Sequence, residues 1–336
     1  MKTLIVVRQL AGGGAEASMA RLQEEFHRRG IEIHIAAINS KMAPDTPGDS
    51  QIILSTSTSR VTQIIQAFSS LRKLHQREGF QKVILNCELA EFLGVLALPR
   101  RTKIFVVEHT SRPWIGRRLV GFVVRLLLAL RGARWITVVS DGLRIWPFNQ
   151  VAIHIPNPIE VRKFVEGSSS GILQKEIVYV GRLAPSKRPD LVVKVAADLG
   201  LPLHVFGEGE MFERLIEQAK SHEVHFYGFV PDVWSKISPS WILIFPSLYE
   251  GDGMVVLEAA LHGNPVLLSD IEDLRRLGLP DRCYFANYVA LRDKLLSLLQ
   301  NESDLEFRIS SEYLSRITKA RSLEVVGDQW LAALGS

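Results

Sequence analysis

Cysteine is nearly absent from this 336-residue chain: Cys87 and Cys283 stand far apart and form neither a CxxC pair nor a disulfide framework. That usage suits a reducing compartment, so a cytoplasmic location is expected. Long apolar runs are missing too. The greasiest stretch, residues 119–130, carries Arg125 and is too short to span a bilayer. Residues 1–7 run straight into a strand-like segment, so no secretory leader is expected ahead of the fold. Without repeats or low-complexity tracts, solenoid and fibrous classes drop out. The 47% hydrophobic content excludes disorder. No DxD sequence occurs, so the paired carboxylates that commonly hold Mg²⁺ or Mn²⁺ on a diphosphate are lacking.

The chain is long enough for two domains, each with its own core. The net charge of +4 hides an uneven split. Residues 1–157 hold 21 Lys/Arg against 11 Asp/Glu, whereas residues 158–336 hold 19 against 25. The two halves are therefore expected to meet different partners. Both alternate short Val/Ile-rich runs (3–7, 31–38, 82–85, 103–107 and 135–139, then 177–180, 203–206, 224–227, 241–245 and 265–268) with segments of helical length. Strands without polar alternation suit parallel sheets buried on both faces, which predicts two doubly wound α/β domains. Pro156 and Pro158 interrupt strand character and Gly167–Gly171 reads as a connection, placing the division at residues 1–157 and 158–315. Residues 316–336 are expected to form a helix returning to the first domain. Ligands of open parallel sheets bind beyond the carboxyl ends of the strands, which predicts a cleft between the facing domains.

Three segments carry chemistry. Gly12-Gly13-Gly14 lies between a strand and a helix, where glycines let backbone N–H groups approach a phosphate; a turn serving only strand–helix packing is the alternative. Arg182 and Lys187 bracket the next such turn and could grip one diphosphate, with Ser186 as the expected helix cap; two solvated cations are the alternative. Glu250 stands on a glycine loop and Glu258 inside the helix that follows, a spacing suited to holding hydroxyls at opposite ends of an elongated polar ligand.

Gly13–Glu16, Pro156-Asn157-Pro158, Arg182 with Lys187, Phe206-Gly207-Glu208-Gly209 and the Glu-x7-Glu frame of Glu250 and Glu258 occur in an order that resembles the retaining family 4 glycosyltransferases. The resemblance implies a GT-B fold, two Rossmann-like domains facing a cleft, and transfer from a nucleotide sugar, with a UDP-sugar the expected donor and no cofactor. It assigns Arg182 and Lys187 to the donor diphosphate, Glu258 to the ribose, and Glu250 with Gly251–Met254 (Asp252 and Gly253 included) to the donor sugar. Gly207 lies in the donor loop, Gly14 approaches the phosphate, and His109 matches the active-site histidine. Glu250, His109, Arg182 and Lys187 are thus the catalytic candidates. Asp252 stands where the family commonly has Phe, and residues 41–50 say little about the acceptor. Metal-independent transfer to a lipid-linked or membrane-proximal glycan follows, in cell-surface polysaccharide synthesis. A GT-B sugar-nucleotide epimerase and a non-catalytic sugar-nucleotide-binding scaffold are the alternatives.

Residues 100–134 contain nine basic residues and one acid, Glu108. Ile115, Leu119, Phe122, Val123, Leu126, Leu127 and Leu130 follow helical spacing, with Arg117, Arg118, Arg125 and Arg131 largely opposite. An interfacial helix on anionic lipid is expected from Arg112 to Arg134, mainly electrostatic, with Trp114 as a possible anchor. An ordinary crossover helix burying its apolar stripe is the alternative. The segment lacks interleaved stacking residues, so no nucleic acid is expected.

Overall fold

The computed structural model describes residues 2–10, 14–39, 51–140, 142–159, 176–220, 222–300 and 308–335. Gly12, Gly13, residues 41–50 and Gly167–Gly171 lie outside them. The chain divides into two compact units, Met1–Pro158 with Arg321–Ser336, and Ile159–Ala320.

The first unit runs β1 (Thr3–Val7), α1 (Gly14–Arg28), β2 (Ile33–Ala37), β3 (Gln51–Ile53), α2 (Arg60–Glu78), β4 (Lys82–Leu85), α3 (Glu88–Ala97), β5 (Lys103–Glu108), α4 (Arg118–Leu130) and β6 (Arg134–Thr137). A small antiparallel pair, β7 (Arg144–Ile145) and β8 (Gln150–Val151), precedes β9 (Ile153–His154). Seven strands pair in parallel in the order β3-β2-β1-β4-β5-β6-β9. Helices cover both faces, and β1 is accordingly buried at all five positions. Leu4, Val83 and Ile104 pack under α2–α4, while Ile5, Ile84 and Phe105 face α1 and the last helix.

The second unit runs β10 (Ile177–Val180), α5 (Pro189–Leu199), β11 (Leu203–Phe206), α6 (Phe212–Ala219), β12 (Val224–Gly228), β13 (Ile242–Phe245), α7 (Met254–His262), β14 (Val266–Ser269), α8 (Glu272–Arg275), β15 (Tyr284–Phe285), α9 (Tyr288–Gln300) and α10 (Ser311–Ala320). Its parallel sheet has the order β12-β11-β10-β13-β14-β15. In both sheets the strand order reverses beside the first strand, the geometry that opens a crevice at the carboxyl ends.

The final helix, α11 (Leu323–Leu334), belongs to the first unit, where Val326 and Trp330 are fully buried against α1. Arg29 ties it down, bonding the Glu324 carbonyl at 2.9 Å. The division was expected at residue 316 and falls at Arg321, because α10 buries Leu314 in the core of the second unit.

Candidate functional site

Most candidates lie at the carboxyl ends of β10, β11 and β13. The loops after β10 and β11 are zipped together by backbone bonds: Gly181 N–H to the Phe206 carbonyl at 3.0 Å and Leu183 N–H to the Glu208 carbonyl at 2.9 Å. Gly207 has φ +137°, and a Cβ there would sit 1.9 Å from the Gly181 oxygen. Only glycine fits. The Gly-x-Gly of the second loop is therefore required by the close approach of two backbones.

Arg182 is exposed and makes no ion pair among the described residues. Lys187 ends a single 3₁₀ turn, Pro185–Lys187, whose Ser186 carbonyl accepts from Leu248 N–H at 2.8 Å. That bond holds the turn against the loop after β13. Ser186 does not cap α5, contrary to expectation. The 3₁₀ turn intervenes, and Arg188, at φ 49°, occupies the position before Pro189.

The Lys187 ammonium pairs with the Glu250 carboxylate. Ser247 Oγ donates to the same Oε1 at 2.7 Å, and the Glu250 N–H donates to Asp273 Oδ2 at 3.0 Å. Glu250 is only 8% exposed, so this pairing compensates a carboxylate that solvent hardly reaches. Arg182 and Lys187 thus differ: one is displayed, the other is held by a counter-charge. Asp252 and Met254 are buried, Gly251 is half-buried, and Gly253 (φ 63°) turns the chain into α7. Glu258, half-buried on α7, accepts from Trp234 Nε1 at 3.2 Å. The glycine loop and the two glutamates therefore lie on one strand–loop–helix passage, β13 to α7.

In the first unit Gly14 is the exposed first residue of α1. His109 follows β5, its Nε2 2.6 Å from Asn86 Oδ1 at the end of the neighbouring strand β4. Burial pushes its imidazole down to about 4, so the ring is neutral near pH 7. With Nε2–H donating to Asn86, Nδ1 is the nitrogen left to accept a proton.

Sequence reasoning missed Ser247, Asp273, Trp234 and Asn86. Ser247 precedes Glu250 by three residues and could have been weighed as its partner. The other three come from distant segments, with no local signal.

The basic segment departs most from expectation. Trp114 is 3% exposed, its indole N–H bonded to Glu91 Oε2 at 3.0 Å, so it is no interface anchor. Arg125 is fully buried between two carboxylates, 2.9 Å from Glu91 Oε1 and 2.7 Å from Glu108 Oε2. Arg131 turns inward to the carbonyls of Gly94, Val95, Leu98 and Pro99, satisfying the end of α3. The apolar stripe faces solvent, with Arg117 and Arg118 exposed at its start, while Arg125 and Arg131 turn inward. The reason is the buried pair of carboxylates, which needs a cation. Burial raises Glu108 to about 7, with Arg125 opposing the rise and Glu91 adding to it.

Among the described residues no group of three His, Cys, Asp or Glu could hold a metal ion, and no helix is long and apolar enough to cross a membrane.

Residues 12–146 match the model of Glycosyltransferase Family 4, and residues 169–306 that of Glycosyl transferases group 1. The O-antigen biosynthesis glycosyltransferase WbnH of Escherichia coli is 36% identical over 222 residues, 60% of this chain and 62% of WbnH. The poly(ribitol-phosphate) alpha-N-acetylglucosaminyltransferase of Staphylococcus aureus (strain COL) is 24% identical over 221 residues, 60% of this chain and 44% of the relative. The match thus spans less than two thirds of each of these curated relatives. Among solved structures, Anabaena Alr3699/HepE in complex with UDP and glucose superposes with a TM-score of 0.79 over 100% of both chains at 15% identity. The pneumococcal O-GlcNAc transferase GtfA in complex with UDP and GlcNAc gives 0.73 over 100% of this chain and 98% of that one, at 12% identity.

Proposed function

The chain belongs to the family 4 glycosyltransferases, on the GT-B fold, and from that premise we propose that it moves a sugar from a nucleotide-sugar donor, a UDP-sugar, to a lipid-linked or membrane-proximal glycan in cell-surface polysaccharide synthesis. The name of WbnH and the UDP bound in HepE support the two ends of this reading. Retention of anomeric configuration and independence of metal are part of the proposal. So is a peripheral place on the cytoplasmic face of an anionic membrane, through residues 112–134.

The observation that carries the reading is the Lys187–Glu250 ion pair, set beside the exposed Arg182 on a floor of closely apposed glycine loops. Breaking a nucleotide–sugar bond develops negative charge on the diphosphate and positive charge on the anomeric carbon. Lys187 and Arg182 supply preorganised positive potential to the first, and the Glu250 carboxylate supplies negative potential to the second. Gly251–Met254 and Glu258 hold the hydroxyls of sugar and ribose, and Gly14 approaches the phosphate. His109, neutral with Nδ1 open, accepts hydrogen bonds from the sugar rather than repelling developing positive charge. The α/β floor contributes a further donor set, the N–H groups at the start of α7.

Lys187→Ala tests this. Loss of one such electrostatic contact should lower turnover about 10²–10³-fold in protein that circular dichroism shows still folded, although stability falls because the buried Glu250 carboxylate loses its counter-charge. Near-normal transfer from a UDP-sugar panel would sink the assignment.

A further inference from the structure

We infer that α4 docks this protein on an anionic bilayer with its apolar face inserted, the arginines forming only its rim. The inference rests on the membrane-proximal reading above and reverses the electrostatic contact expected from sequence.

An amphipathic crossover helix normally turns its apolar stripe to the sheet. Here the stripe faces outward: Leu119 is 86% exposed, Leu130 76%, Ile115 62% and Val123 55%, with Phe122 and Leu127 exposed beside them. Leu119, Val123, Leu127 and Leu130 follow one another at three- and four-residue steps, which makes one continuous face rather than scattered exposures. Single exposed leucines need no explanation, but a contiguous patch marks a site of interaction.

The orientation is fixed by two devices on the opposite face. Arg125 lies between the Glu91 and Glu108 carboxylates and also bonds the Trp146 carbonyl at 3.0 Å. Gly121 touches the Trp114 indole so closely that a Cβ would stand 2.3 Å from Cγ. Rolling the helix to hide its leucines would strand two buried carboxylates and drive larger side chains into Trp114.

The surroundings identify the occupant. Arg117 and Arg118 are exposed at the amino-terminal end of the helix, and no Asp or Glu occurs from residue 109 to 140. An acidic lipid surface satisfies both features, acyl chains receiving the leucines and head groups the arginines. The helix is thirteen residues long, suited to lying in the interface rather than crossing it.

Flotation of the whole chain tests this, on vesicles of phosphatidylglycerol in phosphatidylcholine and of phosphatidylcholine alone, without donor or acceptor. Wild-type protein should float with the anionic vesicles and remain partly bound at salt that screens exposed arginines. Leu119→Asp/Leu130→Asp should lose binding at least about tenfold at every salt concentration, because two charges would enter the apolar boundary. Arg117→Gln/Arg118→Gln should lose only the salt-sensitive part. Circular dichroism should show the aspartate pair folded, and its donor hydrolysis in solution should match wild type. Failure of that hydrolysis in every form of the protein counts against the transferase reading, not against docking. Docking is overturned if the aspartate pair floats like wild type, if no form floats, or if light scattering finds a dimer that the same pair abolishes.

Discussion

Lys187 and Glu250, 63 positions apart in sequence, meet as an ion pair in the second unit, with Ser247 donating to the same carboxylate oxygen. The ammonium is thereby pointed by a buried counter-charge rather than left to sample its rotamers, which would lower the ordering cost of gripping the proposed donor diphosphate.

Replacing Glu250 separates binding from turnover. Glu250→Gln removes the negative charge beside Lys187, so UDP should bind several-fold more tightly while transfer falls about 100-fold. Calorimetric titration of UDP and an initial-rate assay read the two effects. Weaker UDP binding with unchanged turnover would make the pair purely structural.

Ser247→Ala deletes a neutral donor to that carboxylate. The expected loss is about 1 kcal/mol of stability by urea unfolding, because the buried oxygen keeps Lys187. A loss comparable to that of removing Lys187 would show that the hydroxyl, not the ammonium, holds Glu250 in place.

Gly207→Ala forces a Cβ onto the Gly181 oxygen at a backbone angle that side chains rarely adopt. A cost of about 3 kcal/mol or more is expected in denaturant unfolding, from clash and strain together. A change under about 1 kcal/mol would mean that the two loops part easily.

Arg125→Met leaves Glu91 and Glu108 buried without a cation, at a cost of about 3–5 kcal/mol. The penalty should shrink on acidification, because protonating either carboxylate relieves it. A pH-independent penalty in thermal unfolding would count against the ionised pair.

Two neighbours should also tilt stability in opposite directions. His109 is pushed from 6.5 down to about 4, so the unfolded chain binds the extra proton between those values and stability rises with pH through that window. Glu108 is raised from 4.5 to about 7, so the folded chain keeps the proton and stability falls as pH rises from about 4.5 to 7. His109→Gln should therefore remove the rising contribution and Glu108→Gln the falling one, each seen as a pH-dependent gap in melting temperature from wild type. Parallel melting curves across pH 4–7 would contradict both assignments.

Much of the frame was legible in the sequence. Continuous Val/Ile runs such as Ile177–Val180 announce strands covered on both faces, and the segments between them have helical length. Two parallel sheets follow from that alternation. The two-residue strands β7–β9 and β15 were not foreseen, since pairing, β7 with β8 and β9 and β15 at sheet edges, rather than composition makes them strands. Of the candidate site, the charged residues could be singled out because Arg182, Lys187 and Glu250 sit in the loops after strands and Glu258 in the helix that follows. Asn86 and Trp234 were not, since they reach His109 and Glu258 from segments that no local pattern connects.

The α4 segment marks the division most clearly. Its sequence by itself determined that a helix forms with leucines on one side and Arg125 on the other, because helical periodicity is local. It could not determine which side faces inward. Hydrophobic burial alone would have turned the leucines to the sheet. Glu91 and Glu108, brought in from α3 and β5, and Trp114 against Gly121, decided the other way, since a buried carboxylate pair without a cation costs more than an exposed apolar stripe.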